Sequence, residues 1–266
     1  ARCSVDGAKL WFSCNPGNPN HWFYNDWILR QSEKNALYLH FEMQDNPGLS
    51  KKTLERFEKM YSGVFYERYV RGRWVVAEGL VYQKFGEDCI VHEIPTGGEY
   101  YISVDYGTHN PFSAGLWHVT SEQAVRIAEY YYCGRDEKEE KSPEEYYTEI
   151  RRLASGRDIQ CVVVDPSADA FIATIKKHHE YKVRGAVNNG MPGIQTTSEM
   201  LASGKVKIYE GCKNTIREFG LYRWDEKSEV DRVVKENDHA MDEIRYMVMT
   251  VLKKHFKEHR FVPELA

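Results

Sequence analysis

From residue 98 onward, short apolar runs alternate with stretches whose apolar residues recur every three or four positions, which is the pattern of an α/β domain. Residues 100–105 predict an apolar strand that ends in an acid, and 112–118 and 124–132 predict two more strands joined by short polar turns, a plausible antiparallel start. The spacing predicts a helix over 143–154, with a proline near its first turn. Cys161 to Val164 form an unbroken apolar run, as in a strand covered on both faces, and it too ends in an acid, Asp165. Helices over 168–178, 193–203 and 212–222 then alternate with strands over 182–187 and 205–209. Residues 223–235 alternate polar with apolar and suit a β-hairpin or extended loop. A last long helix is expected over 238–257, with Ala240, Ile244, Met247, Val248 and Val251 as its buried stripe.

The first 88 residues read differently. The segment LWFSCNPGNPNHWF is an apolar run punctuated by Asn-Pro and Gly-Asn-Pro, so a strand should give way there to a rigid loop. Ser50 is placed to cap a helix carrying Leu54, Phe57 and Tyr61, and a strand-like stretch follows over 72–85. The expected division is therefore 1–88 as the end of one domain with a linker, 89–258 as a second domain, and 259–266 as a tail. The start ARCSVDGAKLWF has neither an initiator Met nor the plan of a signal peptide, and is expected to lie inside a longer reading frame.

Composition changes this picture little. The chain has 266 residues, 42% of them hydrophobic, and no run approaches the roughly 20 apolar residues of a membrane helix. Six scattered cysteines (Cys3, Cys14, Cys89, Cys133, Cys161, Cys212) include no C-x-x-C pair, which argues against a zinc knuckle or disulfide framework and fits a reducing cytoplasm. The net charge of −4 does not announce a nucleic-acid partner. Its placement matters more: between Asp136 and Glu149 stand seven acids against two lysines, and without that stretch the second domain is electrically balanced, leaving room for local basic patches.

Three acids carry the candidate chemistry. Asp105 ends the strand YYISVDYG and Asp165 ends VVVD, so each is delivered to a sheet edge; alone, each is also what a turn or a helix cap needs. Asn237-Asp238-His239-Ala240-Met241-Asp242 opens a helix on which His239 and Asp242, three apart, share one side. Asp238 or Asn237 is the expected cap. Phosphodiester hydrolysis needs an activated water and stabilisation of the leaving oxygen, which two divalent ions roughly 3.5–4 Å apart supply together, and hard cations take oxygen ligands. Two strand-end aspartates and a helix aspartate are such a set, and an imidazole beside them is placed to ligate, to orient water, or to bias the site toward Mn²⁺ over Mg²⁺.

The stretches SCNPGNPNHWF, DNPGLS, YERYVRGRWVVAEGLVY, ISVDYG, VVVDPSA and NDHAMDEIRY, in this order and spacing, resemble the large subunits of tailed-bacteriophage terminases, the motors that package viral DNA. The resemblance covers nearly the whole chain. It implies an α/β, RNase H-like nuclease fold, a central mixed sheet flanked by helices, preceded by the tail of an ATPase domain. It implies a two-metal endonuclease that cuts concatemeric double-stranded DNA in the cytoplasm of the infected bacterial host, with two Mg²⁺ or Mn²⁺ ions held by Asp105, Asp165 and Asp242, and with His239 where some members carry a histidine. Partners implied are DNA, a small terminase subunit and a portal protein. Asn15-Pro16 resemble the family's ATPase coupling motif, yet there is no G-x-x-x-x-G-K-[ST] loop and no strand ending in Asp-Glu, so ATP hydrolysis is not expected from these residues.

For DNA contact the candidates are Lys176, Lys177 and Arg184, with Arg223, Trp224 and Arg232 of the 223–235 segment, since cations and an aromatic on a protruding loop suit phosphate and base. Mostly phosphate contacts are expected, poor in base readout. Rival readings are a transposase, integrase or resolvase with the same carboxylates, and a packaging module with a silent centre. A sugar-kinase or actin-like ATPase is suggested by Asp105-Tyr106-Gly107-Thr108 but lacks a second phosphate turn.

Overall fold

The computed structural model describes residues 5–258, so the expected tail over 259–266 and Cys3 lie outside the described residues. Packing divides the chain into two units. The first comprises the residues up to Ala77 with Glu226–Asp231, the second Glu78–Asp225 and the residues from Arg232 onward. The division thus falls ahead of residue 88, because the intervening residues build into the second unit: Tyr82 packs on Phe219 and Tyr222, Phe85 stacks on Phe219 at 3.8 Å, and Val81 N–H donates to Tyr222 O.

In the first unit, helices α1 (Lys51–Met60) and α2 (Gly63–Tyr69) follow one another. Ser50 caps α1 as expected, its hydroxyl accepting Thr53 N–H. Arg68, 4% exposed, donates to both carboxylate oxygens of Asp231 at 2.6 and 2.9 Å and to Val75 O. The strands expected near Leu10 and over 72–85 do not form: the second stretch bends at Gly79 and turns over 81–84, and apart from a single bridge between Leu80 and Arg223 neither finds a ladder among the described residues.

The second unit is built on seven strands: β1 (Ile90–Val91), β2 (Glu99–Asp105), β3 (Phe112–Val119), β4 (Ala124–Tyr132), β5 (Ile159–Val164), β6 (Val183–Gly185) and β7 (Val206–Tyr209). Their order is β1-β7-β4-β3-β2-β5-β6. The consecutive strands β2, β3 and β4 pair antiparallel, whereas β5, β6 and β7 join in parallel through helical crossovers and β1 adds in parallel to β7. Between them run α3 (Gly134–Glu137), α4 (Pro143–Ala154), α5 (Asp169–His178), α6 (Gly190–Ala202), α7 (Lys213–Phe219) and α8 (His239–Met247). A π-helical turn, Val248–Leu252, continues α8 into α9 (Lys253–Glu258), so the expected long helix is present with one widened turn. The hairpin over 223–235 is also present: Asp225 N–H donates to Arg232 O and Val234 N–H to Arg223 O.

Side chains on a strand alternate between faces, and this sorts the sheet. Ile102 and Val104 of β2 and Val162 and Val164 of β5 face a core completed by Tyr146 and Ile150 of α4 and Phe171 and Ile175 of α5. Ser103 and Asp105, one position out of phase, face the other side, against which α8 packs.

Candidate functional site

Asp105 and Asp165 stand side by side. Val104 and Val164 are partners in the parallel β2–β5 pair, so the next residue of each strand is an aspartate emerging at the same edge. Both reach α8. Asp105 Oδ2 is 2.9 Å from His239 Nδ1, and Asp165 Oδ2 accepts the Tyr246 hydroxyl at 2.6 Å. His239, Asp242 and Tyr246 occupy one stripe of the helix, at i, i+3 and i+7. Seven residues at 1.5 Å rise spread these contacts over about 10 Å of helix.

Each carboxylate has its own partners. Asp165 Oδ1 accepts Ser167 N–H at 2.8 Å and the Ser167 hydroxyl at 2.7 Å, so the turn-capping role open to this residue is realised as well. Asp242, 8% exposed, has Lys235 Nζ 3.3 Å from Oδ2 and Arg245 Nη2 2.7 Å from Oδ1, though Oδ1 accepts no hydrogen bond of good geometry. Lys235 also reaches Asp238 at 3.1 Å, and Arg245 donates to Asn188 Oδ1. Among the described residues, no three His, Cys, Asp or Glu side chains converge as ligands of one ion. A cavity of about 710 Å³ is lined by Asp105, Asp238, His239 and Asp242 and also by Arg135 and Arg217; Asp165 is not among its walls.

The titrating groups reflect this crowding. Burial pushes Asp105 up to about 6; the His239 hydrogen bond works against it, and the charges of Asp242 and Asp238 add to it. Burial opposes the charged form of His239, but the hydrogen bond and charge of Asp105, with Asp238 and Glu218 nearby, leave its pKa raised. Asp165 also feels burial, yet the Tyr246 hydroxyl, Ser167 and the Arg245 charge hold it below the ordinary carboxylate value. The Tyr246 phenol is raised first by burial, then by the negative charge of Asp105, Asp165 and Asp242.

The helix start is built differently from the expectation. Asp238 occupies the N-cap position of α8, but its side chain makes no capping bond. The N-terminus is instead satisfied from α7: Glu218, fully buried, accepts Ala240 N–H at 2.7 Å and the Tyr131 hydroxyl at 2.6 Å. One turn further on, Glu243 is also fully buried. It accepts Arg126 Nε–H of β4 at 2.9 Å, Trp117 Nε1–H of β3, and the Ser103 hydroxyl of β2. A Cβ on Gly115 would collide with Arg126 Nε and Glu243 Oε1, so glycine there makes room for the pair.

Solved structures can be set beside this geometry. The large terminase of the thermophilic bacteriophage D6E, in complex with ADP, is 43% identical with a TM-score of 0.88 over 94% of this chain. Its complex with ATP-gamma-S superposes with a TM-score of 0.87. The chain belongs to the bacteriophage large terminases. It spans 64% of the length of the D6E protein. This terminase chain also shares the fold of the P22 large terminase nuclease domain, at 17% identity and a TM-score of 0.52 over 68% of the chain and 97% of that domain. The second unit accordingly has the RNase H-like fold. No family model and no curated protein matches the chain.

In this terminase the expected DNA contacts fare unevenly. Trp224 is 2% exposed and offers no face for a base, because the hairpin stem turns it inward. Lys176, Lys177, Arg184, Arg223 and Arg232 are exposed but none lines the acid cavity, and Lys177 pairs with Glu144 at 2.9 Å. Tyr246, Arg245, Asn188, Lys235 and Glu218 belong to the site and were not foreseen. For Tyr246 a signal existed: it lies four residues after Asp242, on the same helix face. The others are joined to the acids only by the fold. No helix among the described residues is long and apolar enough to cross a membrane.

Proposed function

We propose that the second unit is the endonuclease of a DNA-packaging motor, cutting concatemeric duplex DNA by metal-dependent phosphodiester hydrolysis. The observation that carries this reading is the emergence of Asp105 and Asp165 at adjacent strand ends, on the face covered by the His239, Asp242 and Tyr246 stripe of α8. The donor set fits Mg²⁺ or Mn²⁺: three carboxylates are hard oxygen ligands, one imidazole tolerates the softer ion, and Asp242 Oδ1 is buried without a hydrogen bond. Asp105, Asp165, Asp242 and His239 are the residues that would hold two such ions, which supply an activated water and charge stabilisation on the leaving oxygen.

The chain's own residues do the rest. Tyr246 and Ser167 orient the Asp165 carboxylate, His239 holds Asp105, and Arg245 and Lys235 neutralise Asp242. These partners keep like charges apart in the absence of cations, and loading the site must displace part of them. The proposed domain division assigns the first unit to the end of the ATPase region, without ATP hydrolysis of its own. A small terminase subunit and a portal protein as partners, and the host cytoplasm as the place of action, follow from the same reading.

The test is plasmid cleavage in Mn²⁺, Mg²⁺ and EDTA by this chain and by its Asp105→Ala and Asp242→Ala variants. Metal-dependent cutting that both substitutions abolish is expected. Equal cutting by the variants, or none by the parent chain in any condition, overturns the reading.

A further inference from the structure

The cavity that holds the acids is also lined by two arginines, with Asp136 and Glu236 among its other charged residues. Arg135, the second residue of α3, and Arg217 of α7 both line it; among the described residues their side chains meet an amide and a ring and form no ion pair. Unlike Lys177 or Arg245, they hold their charge in reserve. Both are pre-placed. Arg135 donates from Nη2 to Asn110 Oδ1 at 2.9 Å and from its backbone to His109 O. The segment beneath it is locked, since a Cβ on Gly134 would collide with Thr108 O, so the β2–β3 loop lies flush against the start of α3. Arg217 lies over the Tyr131 ring at 5.6 Å, and Tyr131 is itself fixed by its bond to Glu218, the residue that caps α8.

A phosphodiester approaching Asp105, Asp238 and Asp242 meets like charge, and bound cations at the acids can offset it only at the phosphate they touch. The neighbouring phosphates of the same strand need their own counter-charges. Guanidinium groups are suited to this, presenting a planar fork of donors and no basicity to lose. A side chain already oriented by an amide or a ring also loses less freedom on binding than a lysine on open surface.

We propose that Arg135 and Arg217 are the phosphate grip of the cleavage groove, holding the backbone of the scissile strand on either side of the phosphate presented to the acids. This rests on the nuclease reading above. The contacts carry no base information, so the grip serves any sequence.

The test measures binding of a short fluorescein-labelled duplex of arbitrary sequence by anisotropy over a salt series in EDTA, together with the rate of plasmid nicking in Mn²⁺. Arg135→Gln and Arg217→Gln should each lower the slope of log K against log salt by about 0.9, and the double variant by about twice that, as expected for one lost phosphate contact each. In nicking, they should raise KM while leaving kcat near the parent value. Arg217→Lys should recover most of the slope. Thermal unfolding midpoints equal to the parent's confirm that the variants are folded. A parent chain that binds and cuts while both arginine variants keep its slope and KM overturns this inference alone. A parent chain that neither binds nor cuts overturns the nuclease reading and this inference with it.

Discussion

Arg126 and Glu243, both without solvent exposure, are paired at 2.8–2.9 Å between β4 and α8. The pair sits one residue after Asp242, so it fixes both the rotation and the height of the helix that carries the candidate acids over the sheet. Ser103, Trp117 and the space left by Gly115 complete its surroundings. A polar anchor of this kind specifies one registration of helix on sheet, where a greasy face would accept several.

Glu243→Leu leaves Arg126 with its second carboxylate, Glu129 at 3.0 Å, whereas Arg126→Met leaves Glu243 buried with neutral donors only, so Arg126→Met should destabilise the second unit by about 3–5 kcal/mol and Glu243→Leu by less. The double variant should cost less than the sum of the two. Chemical denaturation of the four proteins in a double-mutant cycle measures this, and strict additivity would show that the two side chains do not act as a pair.

Stability should fall with acid partly through Glu129. This residue is partly buried, which raises its pKa, but the Arg126 charge and the backbone and side-chain donors of Asn214 and Thr215 outweigh burial and hold it below the ordinary carboxylate value. A depressed native pKa contributes stability that is complete above the unfolded value near 4.5 and is lost as pH falls through the native one. Glu129→Gln should therefore be less stable than the parent at neutral pH, and the gap should close as pH drops below about 4.5. Thermal melts across that range check it; a gap that is constant with pH would mean that Glu129 ionises alike in both states.

If the acids hold metal as proposed, divalent ions should stabilise the folded chain, because these carboxylates come together only in the native state. At a hundredfold excess over the dissociation constant the gain is about 2.7 kcal/mol. Melting midpoints in Mn²⁺ against EDTA should rise for the parent and stay flat for Asp105→Asn and Asp242→Asn. An equal rise in all three would place the ions elsewhere.

The sequence pattern reached the β2, β3, β4 and β5 strands and most helices within a few residues, because their apolar periods are long and clean. It missed β1, whose two residues, Ile90 and Val91, carry no periodicity and are strand only by pairing with β7. It expected ladders near Leu10 and over 72–85 that do not form, since β propensity makes a strand only where a partner edge exists. Trp224 looked like a surface aromatic on a protruding loop and is instead buried.

What the sequence by itself determined is the placement of three acids at the ends of elements: strand-end Asp105 and Asp165, and Asp242 in the first turn of a helix, because local periodicity sets which face and which end each residue occupies. Only the tertiary structure decided what these acids meet. That β2 and β5 are neighbours, that Glu218 rather than Asp238 caps α8, that Arg126 finds Glu243, and that Arg135 and Arg217 share a cavity with the acids all depend on contacts between residues far apart in the chain. Such contacts are chosen by the packing of whole faces against one another, for which no short window of sequence holds the information.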